Sequence, residues 1–134
     1  MIYTKKDIEG RADIEVLIDA FYTRVKEDEV IGHFFTEVIE LSWEHHIPVM
    51  YNFWEAVLFG VGGYKGNPVL KHIALHQKKA LTQVHFSQWK KLFFETLDEH
   101  FEGEKAEDAK KKVEMMERLM LYKIGASEDK FFIQ

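Results

Sequence analysis

Apolar side chains recur every three or four residues along most of the chain, and this spacing constrains the fold more than any other feature of the sequence. The clearest stripe has charged residues on its opposite face and consists of Ile14, Leu17, Ile18, Phe21 and Val25. Such spacing is typical of amphipathic helices, whereas strands alternate with a period of two. The sequence therefore predicts an all-α fold, with long helices over residues 12–27, 48–59, 83–101 and 105–124.

Proline and glycine predict where the helices in the middle of the chain begin and end. Pro48 is tolerated in the first turn of a helix but costs about 3 kcal/mol deep inside one. We therefore expect the second helix to begin at residue 47 or 48, after a turn formed by residues 43–46. Glycines at 60, 62, 63 and 66 predict a loop. The pair Asn67-Pro68 predicts the N-cap and first residue of a short helix that carries Val69, His72 and Ile73.

The last helix is expected to bury one apolar face, which comprises Ala109, Val113, Met116, Leu119, Met120 and Tyr122.

Composition limits the class of protein. The length of 134 residues and the hydrophobic fraction of 46% indicate a single folded domain over residues 1–134. The net charge of −5 gives no basic surface for nucleic acid, and the chain has no cysteine for disulfides, thiolate metal sites or nucleophilic catalysis. No apolar run approaches the ~20 residues that cross a bilayer. We therefore predict a cytoplasmic monomer or weak dimer without a nucleic-acid or membrane partner.

Seven histidines could carry chemistry, at positions 33, 45, 46, 72, 76, 85 and 100. His72 and His76 have the spacing of a zinc-protease pair, but no acid lies between them; His45 and His46 would need a third ligand from elsewhere. A di-iron site needs histidines that follow a glutamate by three residues, and none does. Solvated surface is the interpretation we favour for His33, His76, His85 and His100.

A haem needs one neutral imidazole, apolar walls and polar donors on the opposite side. His72 lies among apolar residues on the short helix after the glycine-rich loop, as a haem ligand would. From spacing alone, however, we favour a structural histidine that bonds a backbone carbonyl. The residues alone leave haem, mononuclear zinc and a purely structural role open.

Six short blocks, taken in order, resemble the group III truncated haemoglobins of bacteria. No single block is specific, but the order and spacing of the blocks over residues 10–123 are much more specific than any one of them. The blocks are Phe21-Tyr22, Phe34-Phe35, Trp43-Glu-His-His46, Asn52-Phe53-Trp54, Gly63-Tyr-Lys-Gly-Asn-Pro68-Val-Leu-Lys-His72 and Gln88-Trp89-Lys-Lys-Leu-Phe93.

The resemblance implies a shortened globin fold, with helices packed over and under a b-type haem. It implies that His72 is the proximal iron ligand, that Tyr22 and Trp89 are distal hydrogen-bond donors, and that His46 occupies the distal histidine position. The remaining cofactor contacts that we expect are Phe35, Met50, Phe53 and Trp54, with Tyr64 and Lys71 near a haem propionate.

His46 and the partner of His72 are the open parts of this assignment. Pro48 departs from the uninterrupted distal helix that the family implies, and His46 could be a donor, a swinging gate or a sixth iron ligand. His45 is expected to point to solvent. No acid near His72 is evident, so the group that orients its ring is undetermined.

Three functions follow from this interpretation. The first is binding of O2, NO or CO at ferrous haem, supported by the two distal donors. The second is an enzyme that converts NO or peroxide; it would need an external reductase, because the chain has no room for a flavin domain. The third is a colourless helical interaction module without a cofactor. A globin fold alone does not choose among the roles that haem allows.

Overall fold

The computed structural model describes residues 4–39 and 42–133, with side chains up to residue 128. The described residues form helices and no strand, which confirms the predicted all-α fold. The helices are α1 (Arg11–Glu27), a short π-helix (Phe34–Val38), α2 (Trp43–Phe59), α3 (Pro68–Lys78), α4 (Gln83–His100) and α5 (Glu104–Ile133).

Helix α1 is the centre of the core. All five residues of its predicted stripe are fully buried, and the helix packs against α2 and α4. The ring of Phe21 lies edge-on to Trp89 and Phe93 of α4, with centroids 4.9 and 5.2 Å away. Trp54 of α2 stacks on Phe93 at 4.8 Å. A continuous set of aromatic rings therefore joins the three helices and fixes the elements that carry the candidate site.

Helix α5 begins where the N-terminal segment crosses it. The Asp7 carboxylate accepts hydrogen bonds from the backbone N–H groups of Lys105 and Ala106, at 2.8 and 3.0 Å. Gly103, just before the helix, has φ of 141°, and a Cβ there would lie 2.4 Å from Asp7 Cγ. The free N–H groups of a helix start need such acceptors, so Asp7 and Gly103 together define the start of α5.

The predicted start of α2 was wrong by about one turn. The helix begins at Trp43, because extended Ser42 is the N-cap and its carbonyl accepts a hydrogen bond from His46 N–H at 2.8 Å. Pro48 therefore lies inside the helix, in its second turn. Its ring faces solvent, and the chain loses only the hydrogen bond that residue 48 would donate to the Glu44 carbonyl.

Two of the residues predicted to be buried on α5 are exposed. Leu119 and Tyr122 are 45% and 70% exposed, whereas Ala109, Val113 and Met120 are buried and Met116 is half-buried. The reason is geometric: the apolar residues of α5 occupy two sides of the helix, and only one side meets the core. The helix also continues past residue 124, to Ile133.

Helix α3 begins as predicted. Pro68 is its first residue, and the Asn67 side chain caps it by accepting a hydrogen bond from Leu70 N–H at 3.1 Å. None of the residues of α3 is fully buried. Within the part of the chain that the structure describes, no helix has the length and apolarity to cross a membrane.

Candidate functional site

A cavity of about 740 Å3 lies between the helices. All five α-helices and the π-helix contribute to its walls, which are mainly apolar and aromatic. Its volume is in the range of small-molecule and cofactor sites. Helix α3 directs Pro68, His72 and Leu75 toward this space, which explains why the helix has apolar residues but no buried one. A bound molecule would supply the apolar surface that α3 lacks.

The imidazole of His72 is oriented by its own helix. Its Nδ1 donates a hydrogen bond to the Pro68 carbonyl, one turn earlier, at 2.6 Å. Burial lowers the pKa of His72, and the Pro68 carbonyl opposes this by raising it. The ring is therefore neutral at pH 7, with Nδ1 protonated and a lone pair on Nε2, which is the form that binds a metal. The partner of His72 that the sequence left undetermined is a carbonyl and not a carboxylate.

Tyr22 and His46 form a hydrogen-bonded pair in another part of the cavity wall. Tyr22 Oη and His46 Nε2 are 3.2 Å apart. Burial raises the pKa of Tyr22, so its phenol stays protonated at pH 7. Burial, with smaller contributions from Lys71 and His45, lowers the pKa of His46 to about 4. The two neutral groups form one hydrogen bond, and the tautomer of His46 determines which of them donates it.

We expect the ring of His46 to titrate near pH 4, well below the usual 6.5 of histidine. Between these two values the unfolded chain binds a proton that the folded protein does not. The free energy of unfolding therefore decreases as the pH falls from 6.5 to 4, and this loss is complete below pH 4. NMR titration of the imidazole protons measures this pKa. A His46→Leu variant should lose less unfolding free energy than the parent between pH 6.5 and 4.

Aromatic packing fixes the position of Tyr22. Its ring lies edge-on to Phe35 and Trp43, with centroids 6.0 and 5.6 Å away, and Phe35 stacks on Trp43. The Lys26 ammonium lies over the Trp43 ring at 4.5 Å from its centroid. The sequence analysis named Trp43 only as part of a motif. The structure shows that its ring packs against Tyr22.

The indole of Trp89 is equally constrained. It stacks on Phe93 with an interplanar angle of 11°, and Phe21 meets its ring edge-on. Within residues 4–39 and 42–128, no side chain or carbonyl accepts a hydrogen bond from its N–H. Trp89 lines the cavity, and its N–H has no competing acceptor among these residues.

The structure brings all the site residues predicted from the sequence to this one cavity. Tyr64 packs edge-on against Phe53 at 5.0 Å, and Lys71 is exposed at the rim. The complete set of predicted residues in the cavity wall is Tyr22, Phe35, His46, Met50, Phe53, Trp54, Tyr64, Lys71, His72 and Trp89.

The interpretation of four histidines as solvated surface was wrong, because all four are half-buried and have partners. His33 Nδ1 accepts a hydrogen bond from Lys79 Nζ at 3.5 Å, and His100 Nδ1 donates one to the Thr96 carbonyl at 3.0 Å.

His76 is only 13% exposed at its side chain; it bonds Glu128 of α5 and accepts a hydrogen bond from Leu81 N–H. His85 lines the cavity and accepts a hydrogen bond from Thr82 N–H, as the second half of a capping box on α4. Glutamate or glutamine usually occupies that position of a capping box, so a histidine there did not indicate the start of a helix in the sequence.

An ion pair in the cavity wall was also missed. Lys90 Nζ lies 3.1 Å from Glu117 Oε1, and both side chains line the cavity. Glu117 Oε2 is the one buried side-chain polar atom without a partner among the described residues. A buried acceptor of this kind usually meets a water molecule or a ligand.

These residues fit a haem. The cavity is large and apolar, a neutral imidazole in it has a free Nε2, and the hydrogen-bond donors Tyr22 and Trp89 line the same space. No group of three or more histidine, aspartate or glutamate side chains that could hold a metal ion occurs in the described part of the chain, so the zinc alternative has no support.

Comparison with known proteins agrees with the fold and the cavity. The family model described as bacterial-like globin matches residues 2–123. The group 3 truncated haemoglobin ctb of Campylobacter jejuni is 33% identical over 122 residues, which are 87% of this chain and 94% of that protein. The crystal structure of the group III truncated haemoglobin from the same species has a TM-score of 0.78 and 29% identity, and the match covers 87% of this chain and 92% of that one. The chain belongs to the bacterial-like globin family and is a haem globin of the group III truncated haemoglobins.

Proposed function

We propose that the protein binds diatomic gases, O2 first and also NO and CO, at a b-type haem that His72 holds. One observation carries the proposal: two neutral hydrogen-bond donors and one neutral, oriented imidazole line the same apolar cavity. The haem would supply an iron atom with an open coordination position for the gas. The lack of cysteine supports a haem held without thioether bonds, since covalent attachment uses a Cys-x-x-Cys-His motif.

Each residue has a distinct task in this proposal. His72 Nε2 ligates the iron, and the Pro68 carbonyl keeps the ring in the required tautomer and orientation. Phe35, Met50, Phe53 and Trp54 form apolar walls that exclude water, and Tyr64 and Lys71 at the rim contact a propionate.

Tyr22 and Trp89 would retain the gas by donating hydrogen bonds to it. The indole has no competing acceptor among the described residues, so it is ready to donate. Tyr22 is ready when His46 Nε2 carries the proton and donates to Tyr22 Oη, since the phenol proton then faces away from His46. In this arrangement His46 acts through Tyr22, by fixing the direction of the phenol O–H.

Replacing Tyr22 by Phe should accelerate release of O2 by about two- to tenfold. The reason is that a neutral hydrogen bond is worth about 0.5–1.5 kcal/mol net. Stopped-flow displacement of O2 by CO measures the rate. Tyr51→Phe is the matched control, because the Tyr51 hydroxyl bonds Asp19 and does not line the cavity. Equal release rates in the parent and Tyr22→Phe would contradict the proposed role.

Peroxide chemistry is a second candidate, and the neutral state of His46 is the observation that favours it. A histidine whose pKa is about 4 is unprotonated at pH 7 and has a lone pair for a peroxide proton, but it is a weak base because its pKa lies well below the working pH. The bond from His72 to a carbonyl favours gas binding instead, because peroxidase-type histidines are made more basic by a carboxylate. Turnover of NO with O2 would need an electron donor.

A further inference from the structure

Three exposed large apolar side chains form a line along α5. Met115, Leu119 and Tyr122 are 56%, 45% and 70% exposed. Their spacing of four and three residues places them on one side of the helix. Helix α5 buries a different side in the core, so this line has no partner within the described residues. We call this line, together with Lys111, Lys112, Arg118 and Lys123 beside it, the outer face of α5.

Four cationic side chains border this line. Lys111, Lys112, Arg118 and Lys123 lie within about 80° of Met115 around the helix axis, at about 100° per residue. None of them pairs with an acid among residues 4–39 and 42–128. Among the acids between residues 111 and 123, Glu114 lies about 100° from Met115 and Glu117 lies farther round, whereas Asp108 precedes Lys112 by one turn on the same side of the helix. Positive charge thus exceeds negative charge beside the apolar line between residues 108 and 123, although the chain as a whole has a net charge of −5.

The composition of the face matches a protein interface. Apolar residues at the centre with a charged rim are typical of such interfaces, where Tyr, Met and Arg are enriched. Its three apolar residues span about 10 Å of helix, which is small for a helix that lies in a membrane. A second copy of the chain, docked symmetrically through the same face, would bring like charges together. The complementary partner is therefore a protein with an acidic surface.

The position of the face indicates what the partner does. The side of α5 opposite to it lines the cavity with Val113, Met116 and Met120. A helix with its side chains is about 10–12 Å across, so a partner docked on the outer face is one helix away from the cavity.

We propose that the outer face of α5 is the docking surface for an acidic electron-donor protein, of the one-electron flavoprotein class. This inference rests on the proposed haem function. The donor loses one electron, ferric iron in the cavity gains it and becomes ferrous, and no bond forms or breaks in the chain. Such a partner would return the protein to its gas-binding state after oxidation.

The test uses the haem-loaded protein and reduced flavodoxin, an acidic one-electron flavoprotein, as the probe. The double variant Arg118→Glu with Lys123→Glu reverses two charges of the face. The control Lys65→Glu with Lys91→Glu reverses two exposed lysines outside the face and has the same net charge. We expect the bimolecular reduction rate at low ionic strength to fall at least tenfold in the first variant and much less in the control, since steering is worth factors of 10–1000.

A second readout does not depend on electron transfer. Addition of oxidised flavodoxin should shift the amide NMR signals of residues 111–123 in the parent and not in the face variant. Equal loss of rate in both variants, or signal changes elsewhere on the surface, would overturn the proposal. Binding of the parent to phosphatidylglycerol vesicles without any response to flavodoxin would also overturn it, in favour of a membrane surface.

Failure of docking can be distinguished from failure of the haem function. Dithionite, a small reductant, should reduce all variants equally, and O2 release should be the same in all of them. If the parent binds haem and O2 but ignores flavodoxin, only the docking proposal fails. If the parent takes up no haem, the proposed function itself fails.

Discussion

Replacing His72 by Ala should abolish stable haem binding and with it the Soret absorption of the purified protein. In the proposed site, His72 Nε2 forms the bond between the chain and the iron. Helix α3 has no fully buried residue, so its packing also depends on the bound haem. The ratio of haem to protein after desalting measures the loss. A variant that retains a full complement of normally coordinated haem would refute the assignment of His72.

Two further variants make this result specific. His100→Ala removes a histidine that does not line the cavity and bonds the Thr96 carbonyl, so it should retain its haem. His72→Gly leaves a space the size of an imidazole, and added imidazole should restore the absorption. Rescue would separate loss of the ligand from loss of the fold.

Replacing Gly103 by Ala should lower the free energy of unfolding by about 2–4 kcal/mol. The φ angle of 141° costs an L-residue about 1–3 kcal/mol. The new Cβ would also lie 2.4 Å from Asp7 Cγ and displace the carboxylate that caps α5, a further loss of about 1 kcal/mol. Urea unfolding at constant haem loading measures the change.

Gly125→Ala is the matched control, with an expected change of opposite sign. Gly125 lies within α5 and a Cβ there would meet nothing within 4 Å. Alanine is the better helix former by about 1 kcal/mol, so this variant should be slightly more stable. If both alanine variants destabilise the protein alike, the specific conflict between Gly103 and Asp7 is not the cause.

Much of the fold could be predicted from the sequence because apolar periodicity records which side of a helix is buried. It succeeded fully for α1, where every apolar residue of the stripe faces the core. It failed on α5, because Leu119 and Tyr122 have the same spacing as buried residues but lie on a side that meets no other element among the described residues. Periodicity identifies apolar faces without telling which of two faces packs.

The residues of the candidate site were named from the resemblance to a family and not from spacing, and they line one cavity. His72 was one of seven histidines until the ordered motifs distinguished it. In the structure, His72 and the other residues named from those motifs line the cavity. The ion pair of Lys90 with Glu117 belongs to no motif and depends on the approach of α4 to α5. Contacts between residues distant in sequence leave no local pattern, so they had to come from the structure.

Pro48 makes the first turn of α2 easier to unfold locally than the rest of the helix. Separating residues 43–47 from the rest of the helix breaks one backbone hydrogen bond fewer than separating a turn elsewhere in α2, because no N–H of residue 48 reaches the Glu44 carbonyl. The free energy of local opening is therefore lower there than in the middle of the helix. His46 lies on this turn, while Met50, Phe53 and Trp54 lie beyond the proline. Local unfolding that moves His46 can thus leave the apolar wall of the cavity in place.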